Sequence, residues 1–284
     1  MTFNLKSLLA AAGVASTLVL AGCGEKPAET TQPAPEPAAP EVVEPLKIKV
    51  GVMAGAEQQV AEIAVQVAKE QHNLEVELVT FTDYVTPNAA LADGSIDANA
   101  FQHKPYLDKQ IADRGYELEI VGNTFVYPIA GYSQKIETLE DLVEGAQVAV
   151  PNDPTNLGRS LLLLQQQGLL TLKDDVGLLG TVLDITENPK NLEIVELEGA
   201  QLPRSLPDVD LAIINNTFAS NIDLTPEKDG LFVEDKESPY VNIIVARKDN
   251  AQDEAVQLFV KSYQTDAVHE KALEQFKGGV VKGW

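Results

Sequence analysis

Cysteine occurs once in these 284 residues, at position 23, so no disulfide can form within the chain and thiol catalysis has little to build on. Histidine occurs only at 72, 103 and 269, too dispersed for a His-based zinc motif. There is no Gly-x-Ser-x-Gly elbow, no phosphate-binding loop and no dinucleotide glycine fingerprint. Those absences argue against an enzyme and against a bound cofactor. Cations are also scarce, 21 Lys and Arg against 43 Asp and Glu, for a formal charge of −22. The acidic residues are spread along the chain and describe a self-repelling soluble surface, for which nucleic acid is a poor partner.

What is present begins with a targeting segment. Lys6 precedes an uncharged apolar run from Leu8 to Leu20, too short for a stable bilayer span and suited to a secretory signal. It ends in Leu20-Ala21-Gly22-Cys23, which resembles the lipobox where bacterial lipoproteins are acylated on cysteine and cleaved just before it. Residues 1–22 are therefore expected to be a signal peptide and Cys23 a lipidation site. The expected location is the bacterial cell envelope, lipid-anchored, with the folded part extracytoplasmic. From Gly24 to Pro45 the chain turns to Pro, Ala, Glu and Thr with almost no large apolar residue. Such a stretch cannot offset the entropy of ordering, so residues 23–45 read as an extended tether with a reach on the order of 60 Å.

The remainder alternates strand and helix patterns. Leu46–Val52 has period two, Val60, Ile63, Ala64, Val67 and Ala68 repeat at helical spacing, and Leu74–Phe81 alternates again. Short strand patterns at Ile96–Phe101 and Leu118–Val121, with helices near 88–92 and 105–114, extend an α/β series that predicts a parallel sheet. Gly122–Tyr132 is continuous and apolar but contains Pro128, which fits a strand leaving one sheet for another. A second series follows, with strands at 147–150, 192–197 and 211–214 and a helix at 156–167. Val241–Arg247 then reads as a crossing back, after which only helical patterns remain, near 252–263 and 266–276. This organisation predicts a two-lobed α/β protein with two crossover strands and a ligand cleft between lobes. Lobe I is expected to comprise 46–126 and 243–284, and lobe II 127–242.

Two clusters fall where strands meet helices. Phe101-Gln-His-Lys-Pro-Tyr106 would project aromatic faces and an imidazole into a strand-end crevice, although the same residues could simply pack locally with His103 capping a helix. Val150–Arg159 places Pro, Asp, Thr and Asn at a helix start, where free N–H groups favour an anion. Arg159 could grip a carboxylate there, or be an ordinary surface arginine. Asn215 and Asn242 each put an amide beside the cleft, a weak signal when taken alone.

Longer stretches are more specific: Gly55–Val60, Asp97–Leu107, Gly122–Pro128, Val150–Leu164 and Val233–Asn242. Through them the chain, from about Leu46 to Trp284, resembles the methionine-binding lipoproteins of bacterial ABC importers, the NlpA lipoprotein family. The resemblance implies a type II periplasmic binding protein that closes on free methionine, in its L or D form. It implies that Tyr84 and Phe101 sandwich the thioether with Tyr106 nearby, and that Arg159 holds the carboxylate. His103, Asn156, Asn215 and Asn242 would make polar contacts to the ligand's ends. The implied partners are a membrane permease with its cytoplasmic ATPase. A different small amino acid, a methionine-containing dipeptide, or a surface role in adhesion or structure are the alternatives.

Overall fold

A computed structural model describes residues 44–235 and 237–284; the signal segment, Cys23 and the tether up to residue 43 lie outside the described residues. The chain opens with β1 (Leu46–Met53), α1 (Ala56–His72), β2 (Leu74–Phe81), α2 (Thr86–Ala92), β3 (Ala98–His103), α3 (Lys104–Arg114) and β4 (Leu118–Val126). It then enters a second sheet through β5 (Ala130–Tyr132), β6 (Gln147–Pro151) and α4 (Pro154–Gln166). A small hairpin of β7 (Thr171–Leu172) and β8 (Ile185–Glu187) leads to β9 (Glu193–Leu197), α5 (Leu202–Ser205), β10 (Leu211–Ile214) and α6 (Asn216–Ser220). After α7 (Pro226–Asp229) and β11 (Phe232–Val233), the chain returns through β12 (Val241–Arg247), α8 (Glu254–Tyr263), α9 (Asp266–Gln275) and β13 (Val281–Lys282).

The strands form two principal sheets, one of order β13-β4-β12-β3-β1-β2 and one of order β11-β5-β10-β6-β9. Among the described residues, two segments link them. Tyr127–Ile129 carries the chain from β4 to β5, with Pro128 between the sheets where its missing N–H breaks no ladder bond. Residues 234–240 carry it back from β11 to β12. The result is the two-lobed α/β architecture that the alternating pattern predicts.

Neither sheet is purely parallel, and here the expectation is corrected. β12 runs antiparallel between β3 and β4, and β5 is antiparallel to β10. Strands delivered by a crossing rather than by a helical βα connection enter from the opposite end, so their direction reverses. The C-terminus is corrected too. Val281 and Lys282 pair antiparallel with β4 as β13, where only helices were expected, because two residues are too few to set up a recognisable period. β3 lies at 98–103, two residues beyond the expected 96–101, and its pairing with β12 is what extends it to His103.

Each lobe has its own core. In the first, Val60, Ala61, Ala64 and Ala68 of α1 pack with Val50 and Val52 of β1 and Phe259 of α8. In the second, Leu157, Leu161 and Leu164 of α4 pack on Val148, Leu211 and Ile213. Leu, Ala and Val at i, i+3 and i+4 give each helix one apolar face, and that face meets the sheet. A third cluster joins the lobes: Met53, Phe101 and Tyr106 from the first lie with Tyr132, Ile214 and Phe218 from the second. The lobes are therefore in contact across the cleft.

Candidate functional site

Helix α4 is positioned by its start. Asp153 is its N-cap and accepts from the Asn156 backbone N–H (2.9 Å), from Asn156 Nδ2 (2.8 Å) and from Thr155 Oγ1 (2.9 Å). Pro154 occupies the first turn, where its missing N–H is harmless. At Gly158 the helix touches the neighbouring backbone: a Cβ there would lie 2.3 Å from the Leu178 carbonyl oxygen. This close seating buries Asn156 and Arg159 at 2% and 3% exposure, and both face a cavity between the lobes.

Across the cavity, β3 presents Phe101 and His103, two residues apart on one side of the strand. The intervening Gln102 exchanges hydrogen bonds with buried Asn88 and Asn99, at 2.6–3.0 Å, which pins the strand. His103 N-caps α3, its Nδ1 accepting the Tyr106 N–H at 3.2 Å. Tyr106 in turn donates its hydroxyl to the Tyr84 carbonyl oxygen at 2.7 Å, fixing the loop after β2.

All eight site residues expected from the sequence line this one cavity. Tyr84, Phe101, His103 and Asn242 come from the first sheet and its loops, Tyr106 from the first turn of α3, and Asn156, Arg159 and Asn215 from the second lobe. The Tyr84 and Phe101 ring centres are 5.8 Å apart, at ring-to-ring contact, and the pair forms an aromatic wall. Tyr106 extends the wall, 6.1 Å from Phe101, and Phe218 of α6 supports Tyr84 from outside the cavity lining, its ring centre 4.7 Å away.

The other end of the cavity is polar. Arg159 directs Nε to Glu234 Oε1 at 2.8 Å and Nη2 to both Glu234 Oε2 and the Tyr127 carbonyl oxygen. The guanidinium also lies over the Tyr240 ring, 4.3 Å from its centre. Nη1 makes no hydrogen bond among the described residues, so one edge of the fork is left for an anion while Glu234 balances the charge. Asn156 acts as a hub: its Oδ1 accepts from Asn215 Nδ2 at 2.9 Å and meets His103 Nε2 at 3.3 Å. Asn215 Oδ1 is buried with no protein donor. Asn242 donates to the Phe101 carbonyl oxygen at 3.1 Å.

A backbone N–H can only donate, so the Tyr106 bond makes His103 Nδ1 the acceptor and puts the ring proton on Nε2. Burial and then the nearby Arg159 charge push the His103 pKa down to about 3. A lowered pKa means that stability from the neutral ring is present above the ordinary value of 6.5 and lost as pH falls toward 3. The His103 imidazole resonances, assigned with a His103→Gln variant, should not titrate between pH 8 and 4. Titration near 6.5 would contradict this environment.

The sequence reading missed Gln102, Tyr127, Asn216 and Thr217, which line the cavity, and Glu234 and Tyr240, which hold Arg159. Glu234 is 75 positions from Arg159 and lies in a crossing segment, so no local spacing signals their pairing. No group of three or more His, Cys, Asp or Glu among the described residues could hold a metal ion.

The cavity thus offers a charge-balanced fork, an unpaired amide oxygen and an aromatic wall. That combination suits a small zwitterion with an apolar side chain: an anionic end for Nη1, an ammonium for Asn215 Oδ1, and no net charge to desolvate.

Comparison with known proteins agrees. Residues 48–284 match the family model described as NlpA lipoprotein. The chain is 62% identical over 286 aligned positions, covering all of both chains, to the D-methionine-binding lipoprotein MetQ of Escherichia coli K12. A nutrient-binding protein from Burkholderia cenocepacia, solved bound to methionine, superposes with a TM-score of 0.82 at 48% identity, covering 84% of this chain and all of that one. A periplasmic substrate-binding protein of an ABC transporter from Coxiella burnetii gives 0.81 at 47% identity, with 83% and 100% covered.

Proposed function

Since this chain belongs to the NlpA lipoprotein family, we infer that it is a binding lipoprotein that captures methionine for an ABC-type importer. The observation that carries the reading is the cavity itself, which the Arg159 Nη1 edge and the orphan Asn215 Oδ1 share with the Tyr84, Phe101 and Tyr106 wall. Methionine supplies a carboxylate, an ammonium and a thioether to these three features. Sulfur against an aromatic ring contributes about 0.3–1.5 kcal/mol beyond simple burial.

In this reading the eight residues divide their work. Arg159 takes the carboxylate, and Asn215 accepts from the ammonium. Asn156 and His103 hold Asn215 and each other in place, and Asn242 keeps β3 at the cavity rim. Tyr84, Phe101 and Tyr106 face the side chain. Residues 46–126 with 241–284 form lobe I, β12 beginning two residues before the expected boundary, residues 130–233 form lobe II, and the links from β4 to β5 and from β11 to β12 are the hinge about which they close. Glu234 and Tyr240 lie on the second of these, so Arg159 couples the carboxylate to the hinge.

The protein performs no covalent step. Cys23 carries the lipid after removal of residues 1–22, and that anchor keeps the protein at the membrane that holds a permease and its cytoplasmic ATPase. Mass spectrometry of the small molecules released by denaturing the purified protein tests the ligand. Free methionine is the expected finding, and a different amino acid or a methionine-containing dipeptide would replace the assignment.

A further inference from the structure

Beyond the cavity wall, one carboxyl group is buried between the lobes with no cation beside it. Glu57, the second residue of α1, is 3% exposed, and its Oε1 accepts the Thr217 hydroxyl at 2.5 Å. Thr217 belongs to α6 in the other lobe. The same short helix is tied to the first lobe at both ends: Asn216 Nδ2 donates to the Gly279 carbonyl oxygen at 3.2 Å, and Asn221 Nδ2 to that of Ala54 at 3.3 Å. Gly55 makes room for this contact. Its φ of +99° is glycine territory, and a Cβ there would lie 1.8 Å from Asn221 Oδ1.

What α6 carries makes the junction consequential. Asn215, its N-cap, supplies the unpaired amide oxygen of the cavity, and Phe218 packs on Tyr84. A displacement of α6 would therefore remove the ammonium acceptor and take from Tyr84 the ring that supports it. Glu57 itself does not line the cavity.

We propose that Glu57 is a positioning residue for ligand capture: by accepting the Thr217 hydroxyl across the cleft, it latches α6, and with it Asn215 and Phe218, in the closed arrangement. The latch rests on the methionine-binding reading above and adds a proton to it. The titratable groups that face Glu57 are the phenols of Tyr84 on the loop after β2, Tyr127 on the first crossing and Tyr263 on α8. None brings a positive charge. Burial pushes the Glu57 carboxyl up to about 8, against the smaller opposing pull of Thr217. Opening the cleft returns the carboxyl to water and toward 4.5, so closure takes up a proton between these values. A pKa raised in the closed state favours closure at low pH, and that advantage is lost as pH rises through about 8.

Calorimetric titration with L-methionine at pH 5.5, 6.5, 7.5 and 8.5 tests the latch, using the ligand-free full chain, its Glu57→Gln variant and its Thr217→Val variant. The wild-type Kd should rise with pH by up to about tenfold per unit, the limit for one linked proton. Glu57→Gln keeps a neutral acceptor and cannot titrate, so its Kd should lose this slope, while Thr217→Val should bind several-fold more weakly at pH 5.5. A wild-type slope retained in Glu57→Gln, or no slope in the wild type, would overturn the proposal. Wild-type protein that ignores methionine would instead overturn the ligand assignment. The latch is then decided by spin-label distances across the cleft, which should lengthen from pH 5.5 to 8.5 in the wild type and not in Glu57→Gln; equal behaviour of the two would refute it.

Discussion

Arg159→Ala should weaken methionine binding by about 30- to 1000-fold, the loss of about 2–4 kcal/mol expected when a buried, charge-assisted partner of a carboxylate is removed. The same change has a second cost in the ligand-free protein. Glu234, whose side chain is 11% exposed, holds two of the guanidinium nitrogens, and truncating its partner leaves a nearly buried carboxylate without a cation. A lower melting temperature should therefore accompany the loss of affinity. Arg159→Lys separates the two effects. A lysine restores a charge for Glu234 but cannot present one edge to Glu234 and another to the ligand, so it should recover more stability than affinity. Calorimetry beside thermal denaturation reads both, and unchanged methionine affinity in Arg159→Ala would remove Arg159 from the site.

Phe101→Ala should act on the other end of the ligand. Phe101 is 3% exposed and belongs to the cluster that joins the lobes, so its removal opens a cavity and costs about 3–5 kcal/mol of stability. Its binding signature is selective. Methionine loses the wall that its thioether meets, whereas glycine has no side chain to lose contact, so methionine affinity should fall about tenfold or more relative to glycine. Titrating both ligands against the variant distinguishes a wall residue from one that only packs: equal losses would mean that Phe101 supports the fold without reading the side chain.

The elements that were legible in the sequence are those whose period is long enough to count. Val60 to Ala68 and the leucines of α4 each run more than two turns, and Leu46–Val52, Leu211–Ile214 and Val241–Arg247 hold strand patterns between clear breaks. Pro128 marked the first crossing because its chemistry excludes a central strand. Less was visible where tertiary contact decides. β5, β11 and β13 span two or three residues each and exist because another strand lies beside them. The direction of β12 follows from how the chain crosses between lobes, which no local pattern encodes.

The site shows the same division. Phe101, His103 and Tyr106 could be grouped because a strand end and a helix start put them together in sequence. The role of Asn156 was less visible: its amide is spent on Asp153, His103 and Asn215, which makes it a brace within the site. Arg159 stood out at a helix start as a candidate grip for a carboxylate, but its pairing with Glu234 depends on a segment that returns to α4 only in three dimensions. Tyr84 and Phe218, from opposite lobes and 134 positions apart in sequence, meet with ring centres 4.7 Å apart, and no spacing along the chain signals that contact.

The most direct measurement is calorimetric titration of the protein, stripped of copurified ligand by unfolding and refolding, with L- and D-methionine at pH 6.5. The account predicts saturable binding of at least one enantiomer at one site per chain, abolished or strongly weakened in Arg159→Ala. No binding of either enantiomer at concentrations up to about 1 mM, which corresponds to about 4 kcal/mol of binding free energy, would contradict it.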